Sequence, residues 1–269
     1  MEQPLASCSG KKDNMEIKAF VHVFKTWQDA AQLIIKIWEK IAKKEISLNG
    51  RFTVALSGGK TPAGLYDMLS KYPKKSFWKD THVFLVDERF VSPDHPESNY
   101  RLIKKYITNT GLSLGGLHAV LTEGLSLEDS ARWYEDELHT FFGSKPEIPQ
   151  FDLILLGIGE DGHTASLFPG SEGLNESKHL VLPAITDRIP HERISMTLPL
   201  INNAKYLIFY VIGKEKSSIM KKLLESHASL LPAALVRPVK GKLLYILDAE
   251  AASELEPDEV SDHFLIKEH

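Results

Sequence analysis

Phe151-Asp152-Leu153-Ile154-Leu155-Leu156-Gly157-Ile158-Gly159-Glu160-Asp161-Gly162-His163 is the stretch on which the fold turns. Its first half is a short, nearly continuous apolar run, the pattern of a strand buried on both faces. Its second half is a glycine-rich loop with two carboxylates and a histidine. In open α/β sheets ligands bind beyond the carboxyl ends of the strands. A buried strand that opens into such a loop therefore predicts both a parallel sheet and the end of it that carries the chemistry.

The same pattern recurs outward in both directions. Ala19–Phe24, Phe52–Leu56, His82–Val86, Arg193–Leu198, Lys205–Ile212 and Leu243–Leu247 read as further strands. Helical stretches separate them. Thr26 opens one, with Asp29 as a capping-box variant and Trp27, Ala31, Ile34, Trp38 and Ile41 on one face to about residue 45. Others are expected over Pro62–Ser70, from Ser98, from Ser126 (with Asp129 at the box position) and over Glu215–Ser226. Alternation of this kind predicts one α/β domain, a mainly parallel sheet with helices on both faces. Met1 to Asn14 reads as a flexible polar tail, leaving 15–269 for the domain. Lys145 to Pro149 is the best linker candidate, and a loop between helix and strand explains it equally well.

Composition narrows the function classes. The 269 residues carry 32 Lys and Arg against 36 Asp and Glu, a net charge of −4, with 43% hydrophobic residues. That is ordinary for a globular protein and lacks the basic excess of a general nucleic-acid binder. An anionic ligand would need a local positive field. The single cysteine, Cys8, excludes an internal disulfide framework and a multi-cysteine metal site. The apolar runs are too short to span a bilayer and residues 1–15 lack a secretory pattern, so no membrane is expected and the location expected is cytoplasmic.

Four strand ends carry candidate chemistry. In Ser57-Gly58-Gly59-Lys60-Thr61-Pro62, paired glycines precede a helix start, which suits a phosphate on exposed N–H groups or simply a tight turn. The loop is too short for a Walker A motif. In Asp87-Glu88-Arg89, Arg89 offers fork-like donors to a phosphate, or an ion pair pins the loop. The third loop contains a literal G-x-G-x-x-G, but Pro169, Gly170 and Gly173 interrupt the long helix a dinucleotide site needs. Its notable content is Asp161-Gly162-His163: a glycine-held imidazole, a group whose unperturbed pKa is near 6.5, suits a general base. The fourth, Gly213-Lys214-Glu215-Lys216, puts lysines at a helix start, where an anion would offset them and solvent would serve as well. Glu160, Asp161 and His163 match no common metal spacing, and no metal is expected.

Taken together these segments resemble the 6-phosphogluconolactonase family. The resemblance rests on Leu56 to Pro62, Asp87-Glu88-Arg89 with Ser98-Asn99-Tyr100, Gly157 to Pro169, Arg193 to Pro199 and Gly213-x-x-Lys216, and it runs from about Ile17 to Asp248. It implies a single-domain, three-layer Rossmann-like fold shared with glucosamine-6-phosphate deaminase. It implies hydrolysis of 6-phosphogluconolactone, the second step of the oxidative pentose phosphate pathway, with no cofactor. It maps the base to His163 and the phosphate contacts to Ser57, Gly58, Gly59, Lys60, Thr61, Arg89 and Lys216. Asp161 would orient His163 or serve the loop structurally. Arg193 would contact substrate or pair with a carboxylate. The expected partner is a phosphosugar lactone. The rivals are deaminase-like aldose/ketose chemistry and a non-catalytic sugar-phosphate sensor. The deaminase pattern has Asp-Glu-Tyr at 87–89 and Asn-Glu-Pro near Leu167-Phe168-Pro169, so this chain departs from it at both places.

Overall fold

The computed structural model describes residues 19–72, 76–108, 110–113, 115–143, 148–224 and 230–256. The opening stretch 1–14 with Cys8, most of the linker candidate (145–147) and positions 225–226 of the expected last helix lie outside the described residues.

The chain begins with β1 (Ala19–Phe24), then α1 (Trp27–Asn49), β2 (Phe52–Leu56), α2 (Lys60–Lys71) and β3 (Thr81–Leu85). The three-residue β4 (Asp87–Arg89) leads to α3 (Asn99–Ile107), β5 (Leu117–His118) and α4 (Leu127–Phe142). After β6 (Leu153–Leu156) come β7 (Val181–Ile185), β8 (Glu192–Met196), α5 (Leu198–Asn202), β9 (Tyr206–Val211), α6 (Ser217–Leu224) and β10 (Lys242–Asp248). Helix starts follow the expected caps. Thr26 accepts the Asp29 N–H at 3.2 Å and Ser126 the Asp129 N–H at 3.1 Å. α1 outruns the expected residue 45 and stops at Gly50, whose left-handed φ of 74° returns its N–H to Ile46.

Seven strands form one sheet in the order β1-β10-β9-β6-β2-β3-β5. Every pairing in it is parallel. The expected α/β architecture is thus the one that forms, with helices packed around the sheet. The chain winds from β2 through β3 to β5, then returns to the other side of β2 with β6. The carboxyl ends of β2 and β6 therefore flank the point where winding reverses, the place where such sheets open a crevice.

A second sheet departs from expectation. β4, β8 and β7 form a three-stranded antiparallel sheet, with Arg89 directly opposite Arg193. The expected strand Arg193–Leu198 is β8, displaced by a residue at its start and cut short where Thr197 caps α5. This small sheet is fastened to the end of β3, since the Met196 N–H donates to the Val86 carbonyl at 2.9 Å.

The core runs under α1, where Trp38 lies edge-on to Phe52 and tilted against Trp78, each pair 5.8 Å apart. At the amino ends of the strands, Lys205 Nζ joins Glu45 at 2.6 Å and Asp152 at 2.8 Å. Asp152 Oδ2 also accepts the Thr53 N–H and hydroxyl, so this knot ties α1, β2, β6 and β9. Burial works against the Lys205 charge, but the two carboxylates outweigh it and raise its pKa. No described helix is long and apolar enough to cross a membrane.

Candidate active site

The strand ends of β2, β3, β6 and β9 and the antiparallel sheet enclose a cleft of about 360 Å3. Ser57, Gly58, Gly59, Lys60, Thr61, Arg89, His163, Arg193 and Lys216 all line it, so nine of the ten expected site residues converge. Asp161 is the exception. It stands behind His163, out of the cleft lining, and touches it through Nδ1.

α2 begins at Lys60, two residues before the expected start, with Gly59 as N-cap (φ 105°) and no side-chain cap. Pro62 sits in the first turn and has no N–H to leave open. The amides at Lys60 and Thr61 therefore start a helix that the N-cap side chain does not cap. The loop is held from behind, where Ser57 donates to Leu155 O at 3.0 Å and Tyr66 donates to Ser57 O at 2.6 Å. Gly58 must be glycine: a Cβ there would fall 1.7 Å from Asn99 Oδ1.

Of Asp87-Glu88-Arg89, Glu88 is structural. Its buried carboxylate accepts the N–H groups of Arg89, Asn99 and Tyr100, each at 2.7 Å, and the Ser98 hydroxyl at 3.1 Å. It thus seats the start of α3. Burial raises its pKa, with those amides pulling the other way. Asp87 accepts from Ser166 at 2.7 Å and from Asn99 Nδ2 at 3.3 Å, a tie between the β4 and β6 loops. Arg89 is held by the carbonyl and carboxylate of Glu97. Arg193 Nε donates to Pro190 O at 2.8 Å. Burial and the facing Arg89 charge ease the Arg193 pKa down.

The histidine loop is compact. Gly159 N–H donates to His163 O at 2.8 Å and Gly162 N–H to Gly159 O at 2.9 Å. Asp161 Oδ1 lies 2.5 Å from His163 Nδ1 and also takes the His163 N–H at 3.2 Å. An ionised carboxylate only accepts, so Nδ1 carries the proton and the Nε2 lone pair is left available. A Cβ on Gly159 would lie 1.9 Å from His163 Nδ1, so only glycine admits the imidazole. Burial lowers the His163 pKa and outweighs the Asp161 carboxylate that raises it. Burial pushes Asp161 up, but His163 and Arg188 prevail and hold it below its ordinary value. The Phe168 ring tilts against the imidazole at 4.8 Å.

Opposite the loop, Gly213 (φ 95°) anchors its N–H on Asp248 Oδ1 at 3.1 Å. The lysines expected in a helix start occupy instead a 3-10 turn over Lys214–Lys216, ahead of α6. Arg188, which no sequence motif marked, reaches the cleft from the β7–β8 hairpin. Lys60, Arg89, Arg188, Arg193 and Lys216 thus face Asp87, Glu160 and Glu215, a local cationic excess inside a chain of net charge −4. Among the described residues no group of three or more His, Cys, Asp or Glu side chains is placed to hold a metal ion.

A family profile described as glucosamine-6-phosphate isomerases/6-phosphogluconolactonase matches residues 25–245. The chain belongs to this family. Within the family it is 40% identical over 234 residues to the 6-phosphogluconolactonase of Nostoc sp., covering 84% of this chain and 95% of that protein. It is 37% identical over 212 residues to that of Rattus norvegicus, covering 76% and 80%. Among solved structures, the 6-phosphogluconolactonase of Trypanosoma cruzi superposes with a TM-score of 0.80 at 28% identity, covering 90% of this chain and 98% of that one.

Proposed function

We propose that this chain hydrolyses 6-phosphogluconolactone to 6-phosphogluconate with His163 as the general base. Relatives named 6-phosphogluconolactonase at 37–40% identity support lactone hydrolysis as the general activity. The observation that carries the mechanism is the pairing of His163 Nδ1 with Asp161 in a cleft lined by cations.

The phosphate dianion rests on the α2 start, Arg89, Arg193 and Lys216, which sets the lactone carbonyl near His163. Neutral His163 takes a proton from water at Nε2 as the water oxygen bonds to the carbonyl carbon. Gly159, Gly162 and His163 already spend their N–H groups inside the loop. Of the remaining loop residues Gly157, Ile158 and Glu160 line the cleft, and their N–H groups are the ones to meet the developing oxyanion. The oxyanion collapses, the bond to the ring oxygen breaks, and the imidazolium returns its proton to that oxygen. A buried imidazole suits both steps, since it is neutral before attack and a stronger acid afterwards. Phe168 stands beside His163 where the deaminase pattern has glutamate, which favours lactone hydrolysis over ring-opening chemistry.

The test is a rapid assay on freshly generated lactone with spontaneous hydrolysis subtracted and glucosamine-6-phosphate run in parallel. Catalysed turnover of the lactone alone is expected. Turnover of the amino sugar, or binding of 6-phosphogluconate without lactone turnover, would select one of the rivals.

A further inference from the structure

Arg188 stands near the tip of the β7–β8 hairpin, outside every motif on which the family resemblance rests. The turn is closed by the Thr186 N–H donating to His191 O at 2.9 Å, with His191 Nδ1 returning to Thr186 O at 2.9 Å. The Arg188 N–H leans on Thr186 Oγ1 at 3.3 Å. Its guanidinium then crosses to the histidine loop, where Nη2 meets Asp161 Oδ2 at 2.9 Å. The other oxygen of that carboxylate is the one on His163 Nδ1. Asp161 is therefore gripped at both oxygens, by a partner on its own loop and by one on the hairpin of the small sheet. It cannot swing away from the imidazole without leaving the arginine.

We infer that Arg188 is a positioning residue, clamping Asp161 from the hairpin so that the carboxylate holds His163 in its working orientation. This rests on the reading of His163 as the base. An exposed ion pair contributes little to stability by itself. The value here is directional, because the planar fork fixes where the carboxylate points.

The clamp has an electrostatic signature. The charges that act on His163 are Asp161 on its own loop and Asp87 on β4, which favour its protonation, and Arg188, which opposes it; burial opposes it most. Lys60, Arg89, Arg193 and Lys216, with Glu160 and Glu215, share the cleft and are unchanged by a substitution at 188. Removing Arg188 leaves Asp161 and Asp87 opposed by burial alone.

The experiment follows His163 by NMR titration and the pH dependence of kcat/KM in the full chain, for wild type, Arg188→Gln and Arg188→Lys. Arg188 is half-exposed, so the variants are expected to fold. In Arg188→Gln the imidazole midpoint should rise by about half a pH unit. Its kcat at neutral pH should fall about tenfold while KM moves less than about twofold. Lysine should restore the midpoint but only part of kcat, since it supplies the charge without the fork. A raised KM with kcat retained would make Arg188 a substrate anchor and overturn the inference. An unmoved titration in a variant of an active enzyme would reduce it to a surface ion pair and overturn it equally. If wild type fails to turn over the lactone while the glutamine variant still shifts the midpoint, the functional reading falls and the clamp stands.

Discussion

Arg89 and Arg193 occupy directly opposed positions on β4 and β8, and both side chains line the same cleft. Like charges so placed repel. A dianion between them turns that repulsion into attraction. Replacing either arginine by glutamine should weaken 6-phosphogluconate binding about 10- to 100-fold, the worth of a hydrogen bond to a charged group. The rise in melting temperature produced by saturating 6-phosphogluconate should shrink accordingly. A variant that lost kcat at unchanged KM and unchanged product binding would not be missing a phosphate contact.

His163 is expected to separate chemistry from binding. His163→Ala should lower kcat by about 10²- to 10⁴-fold, the usual scale of a general base. Product-induced thermal stabilisation should survive, because the cationic residues remain. Since burial lowers the wild-type imidazole, the acid limb of kcat/KM should lie below pH 6.5. A limb at or above that value would contradict the burial argument.

The two close-packed glycines offer a geometric test. Gly159→Ala puts a methyl 1.9 Å from His163 Nδ1, so kcat should fall by about 10²-fold while product binding persists. Gly58→Ala collides with Asn99, which is buried, and should destabilise the fold by about 1–3 kcal/mol. Gly115→Ala, with nothing within 4 Å of the added carbon and outside the cleft lining, is the control and should behave as wild type. Equal behaviour of all three in activity and thermal melts would remove the steric explanation.

A stability effect is expected far from the cleft. His82 Nδ1 lies 3.0 Å from His118 Nε2, and His118 Nδ1 lies 2.8 Å from Glu137. Burial, with help from His118 and Arg51, lowers the His82 pKa to about 4. In the unfolded chain it titrates near 6.5. Between these values the unfolded chain binds a proton that the folded one refuses, so stability falls as pH drops from 6.5 towards 4. Melting temperatures at pH 7 and pH 5 should differ less for His82→Gln than for wild type. An unchanged difference would show that His82 is not the group responsible.

Much of this was legible in the chain itself, for physical reasons. β2 and β6 are buried along their whole length, so each reads as an apolar run that nothing else explains. Thr26 and Ser126 declare helix starts because their hydroxyls have one obvious N–H to satisfy. The antiparallel sheet was not legible. β4 is three polar residues, β7 contains Pro183, and the pairing of β8 depends on contacts distant in sequence. In sequence Glu88 is only one of two carboxylates beside Arg89, and its burial on four donors can be seen only once α3 lies beside it. Arg188 carried no signal beyond a basic residue in a turn. Its partner Asp161 lies 27 residues away, joined to it only by the way the hairpin folds back.

The Lys205 knot with Glu45 and Asp152 sits at the amino ends of the strands, while every cleft residue is supplied at their carboxyl ends or by the small sheet fastened there. A five-residue strand such as β2 spans about 16 Å, beyond the range at which substitutions ordinarily couple. The molecule has two poles that can be engineered separately. Hardening the amino pole against heat should leave the catalytic constants alone, and retuning substrate preference at the carboxyl pole should draw little on the reserve that keeps the chain folded.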